Sequence, residues 1–192
     1  MNPGDKKIFA TLFFSIFATV TGVGIVVPLL PVYAHDLGAS GFFDLGASGF
    51  FIGLIFGAFS LGRIFCLPYF GRLSDLKGRK PLIVPGLLAY ALISLGFVLF
   101  REVNALIILR FFQGIASAML MPIIQAYIGD ITPTGNEGFT MGLFNMSMFC
   151  GLSIGPLLGG VIHDRFSLET SFVSMGLLAL TGFLLCLFLL PP

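Results

Sequence analysis

Long apolar runs recur along this chain, and short clusters of charged residues, Gly and Pro separate each run from the next. A helix needs about 20 apolar residues to cross the hydrocarbon core of a bilayer, whereas runs of about 10 to 14 are more typical of buried helices in water-soluble proteins. Six runs reach the spanning length, near residues 8–34, 50–70, 82–100, 104–128, 139–162 and 168–190. The pattern predicts an all-α membrane protein in which residues 1–192 form a single domain of six transmembrane helices.

Composition also indicates a lipid environment. Hydrophobic residues make up 57% of the 192 positions and charged residues 10%, against about 45–50% and 25% in water-soluble domains. Lipid offers no hydrogen-bond partners to the backbone, so only helices and closed barrels cross membranes, and these runs lack the alternation of barrel strands. The first run follows Lys6 and Lys7 as a signal peptide would. It exceeds the about 7 to 15 apolar residues of a signal peptide, so we expect it to remain as the first helix.

Several function classes are disfavoured by what the sequence lacks. The net charge is only +1, and no basic and aromatic pattern for nucleic acid is present, so we expect no nucleic-acid partner. The apolar runs contain no nucleophile beside a base, no His and Cys cluster and no paired carboxylates. We therefore expect neither an enzyme nor a metal site nor a cofactor.

The distribution of basic residues between loops predicts the orientation. One set of loops and ends carries Lys6, Lys7, Arg72, Lys77, Arg79 and Lys80, and the other carries only Arg101 and Arg165. Because Lys and Arg accumulate in cytoplasmic loops, we expect both termini to be cytoplasmic in a membrane of the bacterial inner type. The loop of residues 129–138 is an exception, since it should be cytoplasmic yet contains Asp130 and Glu137 and no basic residue.

A tandem octapeptide occupies residues 36–51. The segment Asp36–Phe43 reads DLGASGFF, and Asp44–Phe51 repeats it without change. A functional loop on the outer side is one interpretation, and a recent duplication or a sequencing error is the favoured one. We expect the second copy to lead directly into the second helix and the first copy to be surplus loop.

A charged pattern with two glycines separates the second and third runs. Residues 71–80, here named the signature segment, read GRLSDLKGRK. They match every defined position of G-x-L-S-D-x-x-G-R-[RK] and so resemble the signature loop of the major facilitator superfamily. Glycines let helix ends approach closely, and an acid beside basic residues forms charge-assisted hydrogen bonds. The resemblance implies a conformational latch made by Gly71, Asp75, Gly78, Arg79 and Lys80, and a simple cytoplasmic anchor is the alternative for Arg72 and Lys77.

The fourth run contains a charged element, Arg110-Phe111-Phe112-Gln113-Gly114. An arginine at the centre of a spanning helix costs about 2.5 to 3.5 kcal/mol on insertion scales, so it normally faces a partner or a wet cavity. The element resembles R-x-x-Q-G of the same superfamily, which implies a cavity role linked to proton coupling for Arg110, Gln113 and Gly114. The alternative is that Arg110 snorkels from the outer end of the helix.

The fifth run contains the segment GLSIGPLLGG at residues 151–160. It resembles G-x-x-x-G-P-x-x-G-G, the element of antiporters in this superfamily, and so favours antiport over symport. Glycines at every fourth position form a smooth ridge on which another helix can pack closely, and a proline removes a backbone donor and favours a bend. The motif residues are Gly151, Gly155, Pro156, Gly159 and Gly160.

Other features of the runs are weaker. Pro28 and Pro31 close the first run with PLLP, which also resembles the first helix of the superfamily. Gly53 and Gly57 form a GxxxG pattern that usually marks helix packing. Arg63 lies about two turns before the signature segment, where it either snorkels or faces a transport pathway and meets an anion or an acid.

Together the three motifs and all six runs indicate a resemblance over the whole chain. It implies the amino-terminal half of a transporter, built from 3+3 inverted repeats and carrying a small-molecule substrate and protons. We expect proton-coupled efflux by alternating access, with a second six-helix half or self-association completing the cavity. No Asp or Glu lies deep in a run, so a proton carrier would be Asp75, Asp36 or a residue of the other half. The alternatives are a sugar or organic-anion symporter and a non-transporting interaction subunit or truncated fragment.

Overall fold

The computed structural model of the chain describes residues 2–36 and 47–191, and α-helices dominate them. The helices are α1 (Pro3–Val26), α2 (Leu30–Asp36), α3 (Ala47–Lys77), α4 (Lys80–Leu99), α5 (Val103–Ala118), α6 (Met121–Ile131), α7 (Glu137–Arg165) and α8 (Leu168–Leu189). They form six spans long and apolar enough to cross a membrane, namely α1 with α2, α3, α4, α5 with α6, α7, and α8. The predicted fold class is confirmed, and these described ranges contain no strand.

The second span is longer than the predicted 50–70. Helix α3 continues to Lys77, so most of the signature segment is helical rather than a loop. The helix ends where Gly78 takes a φ of 92° and its N–H donates to the Ser74 carbonyl at 3.0 Å. A glycine at positive φ is the usual helix terminator, and polar side chains alone do not stop a helix. Helix α3 therefore continues about two turns beyond the end of its apolar run.

Two spans that were predicted as continuous are interrupted. A 3-10 turn at Val27–Leu29 separates α1 from α2, and it contains Pro28. A turn at Met119 and Leu120 separates α5 from α6, and Pro122 lies in the first turn of α6. Proline lacks an N–H and crowds the preceding turn, so the helical ladder is broken just before it. The interruptions fall in the first and fourth spans.

Most of the octapeptide repeat lies outside the described residues. Helix α3 begins at Ala47, inside the second copy, Asp44–Phe51. The expectation that this copy leads into the second span is therefore met at its carboxyl end. The loop expectation for the first copy, Asp36–Phe43, stays a prediction.

The packing of the spans has the pattern of two related three-helix repeats. The most extensive contacts join the first span to the fifth and sixth, the second to the fourth, and the third to the fourth and sixth. Exchanging spans one to three with spans four to six turns the 1–5 contact into 4–2, the 1–6 contact into 4–3, and leaves 3–6 in place. The contacts are thus those expected for 3+3 repeats.

Two buried apolar clusters hold the bundle together. One cluster includes Ile16, Leu87, Ile124 and Phe144, and the other is built around Phe97 and Phe172. The rings of Phe97 and Phe172 stack with centroids 5.2 Å apart, and the Tyr33 hydroxyl donates to the Phe97 carbonyl at 3.0 Å. This second cluster lies on the side of the bundle away from the signature segment.

The second and fifth spans are the least covered. In their apolar stretches 17% and 22% of the residues are buried, against 33% to 61% in the other four spans. Their exposed apolar side chains include Leu61, Ile64, Phe65, Phe149, Leu157 and Val161. Spans two and five are equivalent in the repeat, so the bundle presents two related apolar faces outside its own core.

Candidate functional site

A cavity of about 240 Å³ opens between the first five spans. Its polar lining consists of Thr19, Arg63, Tyr90 and Ser117, and its apolar lining includes Phe59, Leu120, Met121, Met148 and Leu152. Leu120 and Met121 stand at the interruption of the fourth span, a feature that often borders transporter sites. The space is therefore mostly apolar, with one cation and three hydroxyl groups.

Arg63 places a positive charge in the lining of this cavity. It lies near the middle of α3, which has 31 residues. The 14 positions from Arg63 to Lys77 correspond to about 21 Å along a helix. The ion pairs of the described residues are Arg79–Asp75, Arg79–Asp130 and Arg101–Glu169, so none of them neutralises Arg63.

Arg110 is packed between the second and fourth spans rather than in the cavity lining. Its side chain is 3% exposed, and its Nη1 donates to Gln113 Oε1 at 2.7 Å. The guanidinium lies over the rings of Phe56 and Phe59, 5.4 and 5.2 Å from the ring centres. Aromatic faces stabilise a desolvated cation. Phe59 also lines the cavity, and the buried Arg110 Nε has no hydrogen-bond partner among the described residues.

Gln113 and Gly114 have structural partners of their own. Gln113 Nε2 points to the sulfur of Met175 at 3.7 Å. A Cβ on Gly114 would lie 2.0 Å from the Phe59 carbonyl oxygen. Gly114, predicted to act in coupling or the cavity, thus lies where the α5 backbone meets that of α3.

Gly62 completes this helix crossing, and sequence reasoning missed it. A Cβ on Gly62 would lie 2.3 Å from the Phe111 carbonyl oxygen, so both helices need a glycine here. The GxxxG glycines of the same helix, Gly53 and Gly57, would meet nothing within 4 Å. A lone glycine in an apolar run carries no motif, so only its position against Gly114 reveals its role.

The glycines of the fifth span form the equivalent crossing with the first span. All three face the α1 backbone, at built Cβ distances of 3.0 Å for Gly151, 2.6 Å for Gly155 and 2.5 Å for Gly159. The nearest atoms are the Thr21 nitrogen, the Gly24 Cα and the Ile25 carbonyl oxygen, respectively. Backbone packs directly on backbone here, as expected for a small-residue ridge.

The remaining antiporter-motif residues lie off this contact. A Cβ on Gly160 would meet nothing within 4 Å. Pro156 is exposed, although its ring touches the Gly24 position, and α7 runs through it as one continuous helix. The motif therefore divides into a packed ridge of three glycines and two residues on other faces of α7.

The signature segment is organised around Arg79. Its Nη1 donates to Asp75 Oδ1 at 2.5 Å and to Ser74 Oγ at 2.6 Å, and its Nε donates to Asp130 Oδ2 at 3.2 Å. Burial lowers the pKa of Arg79, but the hydrogen bonds to Asp75 and Asp130 outweigh burial and raise the pKa above its ordinary value. One guanidinium thus links the end of α3 to the end of α6.

Asp130 is the second residue that sequence reasoning missed. The sequence did mark it as unusual, because it is an acid in a loop that was predicted to be cytoplasmic and therefore basic. The contact with Arg79 at 3.2 Å accounts for the acid, because the two loops share one charge cluster.

Gly71 and Lys80 stand apart from this cluster. A Cβ on Gly71 would meet nothing within 4 Å. Lys80 Nζ donates to the Leu190 carbonyl at 2.5 Å, where α8 ends. A cation at a helix carboxyl terminus satisfies a free carbonyl and complements the helix dipole. The signature segment therefore contacts two other spans, α6 through Arg79 and α8 through Lys80.

The described parts of the chain offer no obvious metal site. Within residues 2–36 and 47–191, His, Cys, Asp and Glu form no group of three that could hold an ion.

Comparison with known proteins agrees with this architecture. The sequence profile of the Major Facilitator Superfamily matches residues 12–192. An uncharacterized MFS-type transporter of Methanocaldococcus jannaschii is 34% identical over 180 residues, which are 94% of this chain and 44% of that protein. The quinolone resistance protein NorA of Staphylococcus aureus is 31% identical over 186 residues, which are 97% of this chain and 45% of NorA.

A solved structure shows the same fold. The human organic anion transporter MFSD10 superposes with a TM-score of 0.82 at 22% identity, over 100% of this chain and 48% of that one. The chain thus spans about half the length of the curated relatives it matches. Six apolar helices arranged in this way identify an integral membrane protein. The matched profile covers nearly the whole chain, which therefore belongs to the major facilitator superfamily of membrane transporters.

Proposed function

We propose that this chain forms one half of a proton-coupled exporter of small apolar or amphipathic molecules that works by alternating access. The observation that carries the proposal is a direct backbone contact. The glycine ridge of the antiporter-type motif packs on the α1 backbone through Gly151, Gly155 and Gly159. Such a contact lets two helices slide or rock without moving side chains out of the way. NorA, 31% identical, is named a quinolone resistance protein, which supports efflux as the direction.

The partner in this proposal is a second six-helix unit. The least covered spans, α3 and α7, line the cavity through Phe59 and Leu152. The relatives are about twice as long as the part this chain matches, so they have room for such a unit. A second copy of this chain is the alternative occupant of those faces.

The orientation in this proposal places the signature segment in the cytoplasm, in a membrane of the bacterial inner type. The contacts of Arg79 with Asp130 and of Lys80 with Leu190 bring the ends of α3, α6 and α8 to one side. This side also carries most of the basic loop residues, which favour the cytoplasm. The cluster of Asp75, Arg79 and Asp130 would then act as the latch that forms and breaks as the transporter changes state.

The proton route in this proposal does not pass through an acid in the apolar part of any described span. The acidic residues of the described chain lie at helix ends and in loops, and Asp75, 66% exposed, is the one inside the signature segment. A carboxylate reachable from water exchanges protons readily, whereas a buried one would need a partner. Asp75 or an acid of the second unit is therefore the proposed carrier.

The test is transport in inverted membrane vesicles from an efflux-deficient bacterial host. The vesicles contain this chain alone or together with the carboxyl-terminal half of NorA, and quinolone accumulation is followed after the lumen is acidified. We expect accumulation only when both halves are present, and collapse when an ionophore removes the pH gradient. Accumulation that ignores the gradient would contradict proton coupling.

A pair of matched variants tests the ridge. Gly155→Leu would drive a side chain into the Gly24 backbone, and Gly142→Leu adds the same side chain on the same helix where a Cβ meets nothing within 4 Å. We expect Gly155→Leu to abolish gradient-driven accumulation and Gly142→Leu to retain it. Normal accumulation by Gly155→Leu in correctly inserted protein would count against the ridge as the moving contact.

Symport of organic anions is the second candidate, and Arg63 is the observation that favours it. A cation in the cavity lining attracts anions, which proton symport commonly carries inward. The same vesicles separate the candidates, because an acidic lumen drives a symported substrate out and an antiported one in. A non-transporting subunit predicts no gradient-dependent movement in any combination.

A further inference from the structure

We propose that this cavity binds the carboxylate of an amphipathic organic anion, with Arg63 as the charge partner and the walls of Met121, Met148 and Leu152 around the apolar body. The proposal rests on the proposed function only in taking the cavity as the substrate site. It adds the chemical class of the ligand and the residue that recognises it.

The first argument is the position of Arg63. It lies in the apolar part of α3, eight positions or about 12 Å before Gly71, where it is partly buried and lines the cavity. A charge at this depth is costly unless it meets a partner or water. The cavity is the space that Arg63 lines, so its partner has to enter the cavity.

The second argument is that no acid of residues 2–34 and 49–191 forms an ion pair with Arg63. Of the described acids, Asp75 and Asp130 bind Arg79, and Glu169 binds Arg101, near the two ends of the bundle. Arg110 differs from Arg63, because it is 3% exposed and is covered by two aromatic rings and the Gln113 oxygen, although its Nε has no hydrogen-bond partner among the described residues.

The third argument is the chemistry of the remaining lining. Thr19, Tyr90 and Ser117 bring hydroxyl groups to the same cavity as Arg63, and hydroxyls donate to carboxylate oxygens. The Thr19 hydroxyl already donates to the Ser15 carbonyl at 2.7 Å, and the Tyr90 and Ser117 hydroxyls lie close enough to bond to each other, which leaves one donor between them. Guanidinium binds carboxylate through two parallel N–H bonds, a geometry that a neutral or cationic ligand cannot use.

The fourth argument is the apolar part of the lining. Two flexible thioethers, those of Met121 and Met148, adapt to rings of different shape, and Leu152 and Phe59 complete an apolar wall. A ligand with a single carboxylate and a fused aromatic body fits both parts.

The experiment uses the 192-residue chain in nanodiscs with methionine methyl groups labelled with ¹³C. The probe is 2-naphthoate, and 2-naphthamide and 2-naphthylmethylammonium have the same rings with a neutral and a cationic head. The chain has seven methionines. Met121 and Met148 report the cavity, and Met146, on the outer face of α7 and 52% exposed, reports partition into lipid.

We expect 2-naphthoate to shift the Met121 and Met148 methyl signals with saturation while Met146 moves little. At the efficiency of drug-sized ligands, about 13 non-hydrogen atoms give a Kd on the order of 1 mM in this one-sided cavity. Arg63→Gln should weaken binding about 10- to 100-fold, since a bond to a charged group is lost. Arg63→Lys should retain most of it, and Arg101→Gln, which removes an exposed charge elsewhere, should bind as the parent does.

Three results would overturn the proposal. They are equal shifts at Met121 and Met146, preference for the amide or the cation over 2-naphthoate, and unchanged binding in Arg63→Gln with Arg63→Lys as the folded reference. The assay is made at equilibrium without a pH gradient. Its failure therefore leaves proton-driven efflux standing, and failure of efflux leaves the anion site standing.

Discussion

The crossing of α3 and α5 gives the sharpest test of the packing. In Gly114→Ala the new methyl group would lie 2.0 Å from the Phe59 carbonyl oxygen, 2.9 Å from its carbon and 3.0 Å from the Arg63 nitrogen. All three atoms belong to the backbone, so no side-chain rotation relieves the clash. The helices have to separate by about 1 Å, and a gap of 0.5 to 1 Å forfeits about a quarter to a half of each dispersion contact.

The loss of unfolding free energy in Gly114→Ala is best judged against a glycine of α3 that has free space around it. Overpacking of this kind costs about 1 to 3 kcal/mol, and replacing a helical glycine by alanine returns about 1 kcal/mol of helix propensity. Gly57→Ala on α3 has the same propensity gain and meets nothing within 4 Å. We therefore expect Gly114→Ala to be less stable than Gly57→Ala by about 1 to 3 kcal/mol.

The assay is reversible unfolding in mixed micelles titrated with sodium dodecyl sulfate, followed by far-ultraviolet circular dichroism. Each variant is compared with the parent chain at the same lipid and detergent composition. Equal stability of Gly114→Ala and Gly57→Ala, within about 0.5 kcal/mol, would refute the backbone contact between the second and fourth spans.

Three further outcomes follow from the same structure. Asp130→Asn should cost only about 0.5 kcal/mol, because the carboxylate is 57% exposed, yet it should speed hydrogen exchange near Arg79. Gly176→Ala should destabilise the chain in micelle unfolding, since its Cβ would lie 2.1 Å from Ser94 Oγ, and Ser94→Ala should relieve most of that loss. Arg101→Gln should change the unfolding free energy by less than about 0.5 kcal/mol, because its ion pair is exposed; a larger loss would contradict the screening argument.

The number and kind of the spans were predictable because lipid imposes a length and an apolar composition on each of them. The helix ends were less predictable, since hydropathy reports where lipid ends and not where a helix ends. Helix α3 shows the difference, because it continues through Leu73 and Leu76 to Lys77 and ends at the positive φ of Gly78. Hydropathy also gave no sign of the interruption before Pro122, because the residues on both sides of it are as apolar as the rest of the run.

The site was predictable where a motif marked it. The spacing of the signature segment pointed to Asp75 and Arg79, which do pair, but not to Asp130, whose link to them depends on how α6 ends beside α3. Arg110 was visible as a charge in an apolar run, although its aromatic partners come from another span. Nothing in the sequence marked Gly62, because its role depends on which residues of another span lie against it, and the sequence does not show how the spans pack.

The cavity itself could not be read from the sequence. Its lining comes from five spans, and residues as separate as Thr19 and Leu152 face the same space. The helical period places a residue on a face, but only the packing decides which faces meet. The sequence therefore left Arg63 open between snorkelling and a place in the pathway, and the structure shows that it lines the cavity.

Proton coupling in the exporting direction is the central claim, and the proton flux that substrate drives tests it most directly. This chain and the carboxyl-terminal half of NorA are placed in liposomes with a pH dye in the lumen, and a quinolone is added outside without a pH gradient. The account predicts that the lumen becomes more alkaline as substrate enters and protons leave, and that Gly155→Leu liposomes respond as protein-free ones do. A lumen that becomes more acidic would show symport, and a response equal to that of protein-free liposomes would contradict coupled transport.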